Sequence, residues 1–414
     1  MPIVRIGLND ILDARERRVE RRRKLLERFN LPLICFTMNI AGEVKNDPLI
    51  RLAFQFGLGE LKAHQPVYLK TYDEPTGLEA YLVFQTETSR QKEIAEGIEE
   101  GLPIGRLFDM DVFSPEGEKV ERISPRTCII CGEPAAACAR SRAHGLEAVQ
   151  NKTQKILEDF ATDFLANAVV EALKAEVRVT PKPGLVDENN NGAHDDLSME
   201  LFDESANCLR PYFSEAVRLG LKETAAPKAL LETGRRAEEA MLAVTGGVNT
   251  HKGANYSFLL LLFAIGCALR DGQSDPFQTV SEVACAIEKP LGTHGALVFA
   301  RYGEKGVVGE ARCGLPNAKW AGELLKTLPP ELVLLHLISK TRDTNVLYRG
   351  GMEAQTWLQS EARRIIELRD GTQTKAIVEL DRACISRGIS PGGCADLLAL
   401  GLFLDIIRDF TTFL

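Results

Sequence analysis

The sequence lacks an excess of positive charge. Its 414 residues carry 50 Lys and Arg against 58 Asp and Glu, which gives a formal net charge of −8. Residues 1–154 are almost neutral at −1, and the remaining 260 residues carry −7. Nucleic-acid-binding proteins usually present a basic surface. The charge distribution therefore predicts that nucleic acid is not a partner.

A high cysteine density and an apolar leader are also missing. Ten cysteines in 414 residues are too few for a disulfide scaffold, and the first thirty residues are charged. The longest uncharged stretch, Gly253–Leu269, has 17 residues and includes polar side chains. That length is at the short limit of a membrane span, so a buried core helix is the better interpretation. We expect a cytoplasmic protein with mostly reduced cysteines and no membrane partner.

The hydrophobic periodicity changes near residue 132. Before it, short apolar or alternating runs predict strands at 31–40, 66–72, 78–86, 105–113 and 118–123 among helices at 10–29, 47–64 and 89–100. After it, strand signals almost vanish and long helical patterns follow. We therefore predict two domains. The first, 1–150, is α+β with a mostly antiparallel sheet, and the second, 155–414, is all-α.

The predicted first helix, 10–29, is very rich in arginine and glutamate. One interpretation is a solvated helix with charge pairs at i,i+4 spacing. The other is a basic edge that binds an acidic partner or a polyphosphate. The sequence alone leaves both interpretations open.

Two carboxylates stand two residues apart on a predicted strand. Asp109 and Asp111 share one face, because successive strand side chains point to opposite faces. Such a pair suits Mg²⁺ ions that hold a triphosphate for in-line attack, and the preceding Arg106 suits a phosphate oxygen. The alternative is an ordinary solvated strand face.

A cysteine-rich segment, RTCIICGEPAAACARSRAH, covers 126–144. The Cys-x2-Cys start is a zinc signal, and the candidate ligands are Cys128, Cys131, Cys138 and His144. The later spacings are unusual for a zinc finger, and Cys138 and His144 are also compatible with helical residues packed on a core. Arg140 and Arg142 are candidates for binding phosphate, or ordinary surface arginines.

Four motifs of the first domain occur in one order over 7–150. They are LNDILDARERR, LPLICFTMNIAGEVKNDPLIRLAFQFGL, GRLFDMDV and the cysteine-rich segment. Together they resemble apo-citrate lyase phosphoribosyl-dephospho-CoA transferase. The resemblance implies a nucleotidyltransferase-like fold. It also implies attack by a serine of the acyl carrier (gamma) subunit on the α-phosphorus of triphosphoribosyl-dephospho-CoA, with loss of pyrophosphate. Asp109 and Asp111 are then metal ligands, assisted by Arg106.

Polar, glycine-rich segments interrupt the helical half at predicted helix ends. They are TPKPGLVDENNNGAHDD (180–196), TGGVNTHKGANYS (245–257), LGTHGALVFARYGEKGVVGEA (291–311), DTNVLYRGG (343–351) and ISPGGCADLLA (389–399). Glycine permits close approach of a ligand, and helix N-termini offer amide donors to phosphate. Each segment is also compatible with a helix cap or turn. No P-loop motif is present, although Lys252 follows two glycines.

These segments, in the same order, resemble triphosphoribosyl-dephospho-CoA synthase over 155–414. The implied reaction joins ATP, as substrate, to 3′-dephospho-CoA and releases adenine. Asp187, Glu310, Asp343 and Asp396 are the candidate carboxylates for catalysis, with Glu310 and Asp343 also as Mg²⁺ ligands. His251 and His294 are candidates for proton transfer. The substrate-binding candidates are Lys182, Asn249, Lys252, Asn345, Arg349, Gly392 and Gly393.

The sequence thus predicts a bifunctional prosthetic-group enzyme of citrate lyase. Its second domain makes the precursor and its first domain attaches it to the carrier subunit. Two alternatives stay open. One is a nucleotide-binding regulator fused to a zinc interaction module. The other is a helical ribosyl hydrolase, by loose analogy with the Gly-Gly-x-x-Asp segment at 392–396.

Overall fold

Two compact units make up the chain in a computed structural model, which describes residues 4–122, 124–222, 227–287, 294–369 and 371–411. Unit 1 extends to Ala161 and includes the short segments Leu269–Gln273 and Asp409–Thr411. Unit 2 comprises Thr162–Ala268 and Ser274–Arg408. Unit 1 contains a small antiparallel sheet and the described part of unit 2 is helical, so the predicted fold classes are confirmed.

Unit 1 alternates helices with short strands. In chain order these are α1 (Leu8–Phe29), β1 (Leu33–Met38), α2 (Pro48–Lys62), β2 (Tyr68–Glu74), β3 (Gly77–Val83), α3 (Thr88–Gly101), a 3-10 turn (Pro103–Leu107), β4 (Phe108–Phe113), α4 (Ala135–Ser141) and α5 (Leu146–Arg178). Helix α5 continues into unit 2. The return strand predicted at 118–123 is reduced to an isolated bridge between Phe113 and Lys119, beside which the Val120 N–H donates to the Val112 carbonyl oxygen at 2.9 Å.

The sheet has the order β2-β3-β1-β4, and every neighbouring pair is antiparallel. Alternate side chains of each strand face opposite sides. On one side, Leu26 of α1 packs with Leu33 and Phe113 of the sheet. On the other side, Phe36 stacks on Phe54 of α2 with ring centroids 4.7 Å apart. The sheet is therefore covered on both faces, which explains why β1 and β3 are continuously buried.

Unit 2 is built from the end of α5 and eleven further helices among the described residues. They are α6 (Met199–Leu221), α7 (Pro227–Val244), α8 (Lys252–Asp271), α9 (Pro276–Ala286), α10 (His294–Tyr302), α11 (Gly306–Arg312), α12 (Pro316–Leu324), α13 (Pro330–Lys340), α14 (Thr344–Ile366), α15 (Gln373–Arg387) and α16 (Gly392–Ile407). The polar segments predicted as loops at 291–311 and 343–351 are partly helical. Gly351, with φ of 67°, interrupts α14.

Close helix crossings explain several glycines in the core of unit 2. A Cβ at Gly220 of α6 would lie 2.1 Å from the carbonyl oxygen of Phe263 in α8. A Cβ at Gly401 of α16 would lie 2.7 Å from the Cβ of Ala321 in α12. Helix α8 is long and apolar enough to cross a membrane, but 83% of its apolar window is buried inside the protein. It is a core helix, as the sequence predicts.

Candidate active sites

Asp109 and Asp111 form the D-x-D site on the edge strand β4. They share the sheet face on which β1 presents Thr37 and Cys35. The Asp111 carboxylate lies 2.7 Å from the Lys119 ammonium, and the Asp109 carboxylate lies 3.6 Å from the Arg126 guanidinium. The Asp109 side chain is 45% exposed and the Asp111 side chain is 29% exposed, so a ligand in solvent can reach both.

A buried ion pair fixes Arg126 beside the D-x-D site. The Glu99 carboxylate, only 3% exposed, pairs with Arg122 and Arg126 and accepts the backbone N–H of Met110 at 2.7 Å. Burying a carboxylate requires such partners. Burial, and then the neighbouring Asp111 carboxylate, raises the pKa of Asp109, while Arg126 opposes the rise. The site therefore favours an added cation.

The arginines of α1 make tertiary ion pairs as well as local ones. Arg18 and Arg21 bind the fully buried Glu79 carboxylate of β3 at 2.6 and 2.8 Å. The Tyr81 hydroxyl donates to the same carboxylate at 2.9 Å. Arg23 makes only exposed pairs within the helix. One side of α1 is therefore solvated, as the first interpretation predicts. Arginines on the other side neutralise the buried Glu79 carboxylate of the sheet.

The remaining arginine candidates of unit 1 lie on the cysteine-rich segment or bind it. Arg106 donates to the carbonyl oxygen of Thr127. Arg140 and Arg142 stand exposed at the end of α4. In the described contacts neither of them reaches Asp109 or Asp111, so their phosphate-binding role stays a prediction.

Three thiols and an imidazole converge at the cysteine cluster, defined as Cys128, Cys131, Cys138 and His144. Their four ligand atoms lie within 4.8 Å of one another. The Sγ atoms of Cys131 and Cys138 are 3.5 Å apart, and Nε2 of His144 is 3.3 Å from Sγ of Cys131. Backbone N–H groups of Cys131 and Ile130 lower the pKa of the Cys128 thiol to about 6. These are soft and borderline donors of the type that bind zinc.

The polar segments of unit 2 contact one another. The Asp381 carboxylate accepts the Gly184 N–H at 2.8 Å, and a Cβ at Gly184 would lie 2.1 Å from the carbonyl oxygen of Ile389. Arg349 donates to the Ala193 carbonyl oxygen at 3.1 Å. A Cβ at Gly306 would lie 2.8 Å from Cγ2 of Thr344. Distant parts of the sequence therefore assemble into one polar region.

Three predicted carboxylates hold backbone in place. Asp187 accepts the N–H groups of Lys182, Asn189 and Asn190. Asp343 is the N-cap of α14 and also accepts the Cys394 N–H of α16 at 2.8 Å. Glu310 accepts the N–H of Asn317 at 2.6 Å, at the start of α12. Their oxygen atoms are largely used in capping, so a direct role for them in catalysis or Mg²⁺ binding stays a prediction.

The glycine pair that opens α16 fits against the cap of α14. A Cβ at Gly393 would lie 3.0 Å from Oδ2 of Asp343, and one at Gly392 would lie 2.6 Å from Nδ2 of Asn345. These glycines therefore allow two helix N-termini to meet, and N-termini together attract negative charge.

A charged cluster lies beside these helix ends, and we define it as Glu176, Lys182 and Asp396. The Lys182 ammonium, 1% exposed, is 2.7 Å from the Glu176 carboxylate. Burial, and then the Glu176 and Asp343 carboxylates, raises the pKa of Asp396 well above its ordinary value. A Cβ at Gly253 would lie 2.1 Å from the Asp396 carboxylate, so glycine is needed at the start of α8.

His251 is buried with one unused ring nitrogen. The Thr250 hydroxyl donates to Oγ of Ser205 at 2.6 Å, and Oγ of Ser205 is 2.8 Å from Nδ1 of His251. Ser205 therefore donates to Nδ1, which leaves the proton on Nε2. Within the described residues, Nε2 has no hydrogen-bond partner. Burial, and then Lys182, lowers the pKa of His251 to about 3, so the ring is neutral at pH 7.

The other predicted residues of unit 2 have more peripheral contacts. The exposed Lys252 pairs with Glu238, and Asn249 accepts the Lys252 N–H at 3.2 Å. His294 opens α10, but its side chain lies outside the described residues, as do residues 291–293. Sequence reasoning missed Glu176, which occupies an apolar helical position seven residues after Val169. A glutamate at an otherwise apolar position of the buried helix face is the sequence signal that could have identified it.

The family profiles that match the chain divide it at the same place as units 1 and 2. Residues 162–412 match the family profile "CitG: ATP:dephospho-CoA triphosphoribosyl transferase". Residues 6–160 match "CitX: Apo-citrate lyase phosphoribosyl-dephospho-CoA transferase". The chain is 34% identical to Protein CitXG of Haemophilus influenzae, over 96% of each protein.

Two further relatives repeat the pattern. Protein CitXG of Leuconostoc mesenteroides is 30% identical over 97% of each chain. The 2-(5''-triphosphoribosyl)-3'-dephosphocoenzyme-A synthase of Haemophilus ducreyi is 33% identical over 66% of this chain and 98% of its own. The chain is therefore a two-domain transferase of citrate lyase prosthetic-group biosynthesis. It belongs to the CitXG family, in which a CitX region precedes a CitG region. This class confirms the enzymatic prediction over the regulator.

Proposed function

We propose that unit 2 joins ATP to 3′-dephospho-CoA with release of adenine. Unit 1 then transfers the phosphoribosyl-dephospho-CoA group to a serine of the acyl carrier subunit, with release of pyrophosphate, in the cytoplasm. The observation that carries this proposal is the charged cluster of the buried Glu176 and Lys182 and the half-buried Asp396. It lies among the helix N-termini formed by the polar segments.

In unit 2, the ribose 2′-hydroxyl of dephospho-CoA attacks C1 of the ATP ribose while the bond from C1 to adenine breaks. In net, the proton lost by the hydroxyl is the proton gained by adenine. Asp396 is our candidate for the group that accepts the hydroxyl proton. Its raised pKa makes its carboxylate a stronger base than an ordinary aspartate. Carboxylates near C1 also stabilise an oxocarbenium-like centre.

His251 has a different role in this proposal. A neutral imidazole cannot act as a strong acid, but its buried Nε2–H is a free donor among the described residues. We assign it to hold a substrate nitrogen or oxygen. Lys182 balances the charge of Glu176. The exposed Lys252 and Arg349 remain candidates for the triphosphate, because their present partners can be exchanged for phosphate oxygens.

Mg²⁺ fits the donor sets of both units. Carboxylate oxygens are its preferred ligands, and clustered carboxylates with raised pKa values favour a cation. Asp109 with Asp111 would hold it in unit 1, and Glu310 and Asp343 stay the candidate ligands in unit 2, because Asp396 is assigned to proton transfer and Glu176 pairs with Lys182. When bound, Mg²⁺ supplies charge neutralisation for the polyphosphate.

In unit 1, the carrier serine oxygen forms a bond to the α-phosphorus as the bond to pyrophosphate breaks, and the hydroxyl proton is released, overall, with the pyrophosphate. The D-x-D site is open to solvent and lies between Lys119 and Arg126. A protein substrate can therefore approach it, and the cations suit a polyphosphate. Positioning and electrostatics supply most of the catalysis in such transfers.

Adenine release tests the proposal for unit 2. The protein is incubated with ATP and Mg²⁺, with and without 3′-dephospho-CoA, and adenine is measured by chromatography. We expect adenine only when dephospho-CoA is present. Release that ignores the acceptor would instead identify a ribosyl hydrolase, and no release in either mixture would overturn the synthase assignment.

A further inference from the structure

The cysteine cluster of unit 1 has the geometry of a tetrahedral metal site. Zn–S bonds of ~2.3 Å and Zn–N bonds of ~2.0 Å at a tetrahedral angle place two sulfurs about 3.8 Å apart and sulfur and nitrogen about 3.5 Å apart. The observed separations of 3.5 Å between Cys131 and Cys138, and 3.3 Å between Cys131 and His144, are within a few tenths of these values.

Core packing does not account for the convergence. Helix α4, which carries Cys138, has no buried residue, and Cys131 is exposed. Thiols are weak hydrogen-bond donors, so they gain little from one another on a wet surface. The interpretation of Cys138 and His144 as helical core residues is therefore wrong for this segment.

The backbone around Cys128 is shaped to present sulfur. The Gly132 N–H donates to the Cys128 carbonyl oxygen at 3.0 Å, with Gly132 at φ of 81°. The Cys128 N–H donates to the Glu133 carbonyl oxygen at 2.6 Å. The Ile130 N–H points at Sγ of Cys128, 3.4 Å away. A tight turn with N–H groups directed at sulfur supports a metal-bound thiolate.

We infer that Cys128, Cys131, Cys138 and His144 bind one structural Zn²⁺ ion that fixes the cysteine-rich segment beside the D-x-D site. All four positions are filled by protein, which is the pattern of a structural site. The residues described between Phe113 and Ala135 form no helix or strand. A long segment without regular structure needs another source of order, and a metal ion supplies it.

The zinc acts on the transferase site through the residues before Cys128. Thr127 accepts a hydrogen bond from Arg106 through its carbonyl oxygen. Arg126 bridges Glu99 and Asp109. Loss of the ion frees the chain after Arg126, so we expect the pair with Glu99 alone to hold Arg126 less firmly beside Asp109. Arg126 and Thr127 are thus positioning residues, held by a metal that touches no substrate.

Metal content tests the inference directly. We expect stoichiometric zinc in the full-length protein purified under reducing conditions, and almost none in the double variant Cys131→Ser, Cys138→Ser. The matched control is Cys285→Ser, Cys313→Ser, because these exposed cysteines of unit 2 lie outside the cluster. Zinc retained by the first double variant would overturn the inference. So would metal-free wild-type protein, or a disulfide between Cys131 and Cys138 in its place.

Cobalt substitution guards against a variant that fails to fold. Co²⁺ added to zinc-stripped wild-type protein should give an intense thiolate-to-cobalt charge-transfer band with tetrahedral visible bands. His144→Cys should keep the metal and strengthen the charge-transfer band, because a fourth thiolate replaces the imidazole. An octahedral spectrum without thiolate bands would overturn the site.

The effect on activity separates this inference from the proposed function. We expect zinc removal to reduce carrier loading at least tenfold and to leave adenine release unchanged. That readout rests on the proposed function, whereas zinc content and the cobalt spectrum do not. Zinc present without any carrier loading would keep the site and refute only the proposed transferase activity. Equal loading with and without zinc would refute the positioning role.

Discussion

Arginine pairs hold two buried carboxylates of unit 1, whereas backbone N–H groups hold two buried carboxylates of unit 2, in which the pair of Glu176 with Lys182 is the exception. In unit 1, the buried Glu79 and Glu99 each pair with two arginines from elsewhere in the chain. In unit 2, Asp187 and Asp343 instead accept backbone N–H groups at loops and helix starts. Arginine partners and backbone donors both oppose the rise in pKa that burial causes at Glu99 and Asp343, but only the arginines add a positive charge.

The number of partners distinguishes the structural carboxylates from the two carboxylates that we propose to take part in catalysis, Asp396 and Asp109. In unit 2, Asp396 lies near Glu176 and Asp343, and Ala254 supplies a backbone N–H that only partly opposes its raised pKa. In unit 1, Asp109 keeps a raised pKa and an exposed side chain despite Arg126. In each unit the proposed reactive carboxylate has fewer close partners than the structural carboxylates Glu99 and Asp343.

The largest effect should come from Asp396→Asn. The amide cannot accept the hydroxyl proton, so we expect adenine release to fall on the order of 100-fold or more. Carrier loading from supplied triphosphoribosyl-dephospho-CoA should be unchanged. The control is Asp405→Asn, an acid on the same helix that pairs with Arg408 at the surface. Normal adenine release in Asp396→Asn would remove this residue from the chemistry.

Asp109→Asn and Asp111→Asn give the reciprocal test in unit 1. Each should lower carrier loading about 100-fold, because the paired carboxylates that bind the cation are lost. Adenine release should stay intact. The matched control is Glu116→Gln, an exposed carboxylate in the turn after β4. If carrier loading and adenine release fell together, the proposal of two independent active sites, one in each unit, would be refuted.

Sequence patterns predicted the fold well where periodicity was strong. Helices α1, α2 and α3 and the four strands lie within a few residues of their predicted positions. Polar segments were harder, because residues such as Asn345 and Arg349 read as a loop although they begin α14. The Asp343 carboxylate caps this helix by accepting the N–H groups of Asn345 and Val346, which offsets the low helix propensity of Asn345 and Gly350.

The site was predicted in outline and not in its roles. Sequence motifs marked Asp396, His251 and Lys182. They did not show that the Asp187 carboxylate would accept N–H groups of its own loop, because those hydrogen bonds depend on backbone geometry. Glu176 lay hidden in a regular helix, and its pairing with Lys182 is visible only once the cis Thr180-Pro181 segment is folded beside it.

A smaller change, Gly253→Ala, tests how tightly Asp396 is held. The added Cβ would lie 2.1 Å from the Asp396 carboxylate, so the side chain must move. We expect adenine release to fall about tenfold, since displacement of a reacting group by a fraction of an ångström weakens alignment. Gly234→Ala in α7 is the control, because its Cβ would make only an ordinary 3.5 Å contact with Leu259. Equal activity in both variants would mean that Asp396 tolerates displacement.

The smallest effect is on the pH dependence of stability. The pKa of His251 is about 3 in the folded protein, against an ordinary value of 6.5. Between these values the unfolded chain binds the extra proton, so stability falls as pH drops below about 6.5. From pH 7 to 5.5 this residue should account for about 1 kcal/mol of lost stability.

Denaturant unfolding of His251→Gln at both pH values measures this contribution. The variant should lose about 1 kcal/mol less than the parent over the interval, whatever its stability at pH 7. His64→Gln, at an exposed position of unit 1, should match the parent. An unchanged pH slope in His251→Gln would mean that the imidazole is solvated or charged in the folded state. Its Nε2 would then not be the neutral, buried donor that distinguishes unit 2 from the arginine-paired sites of unit 1.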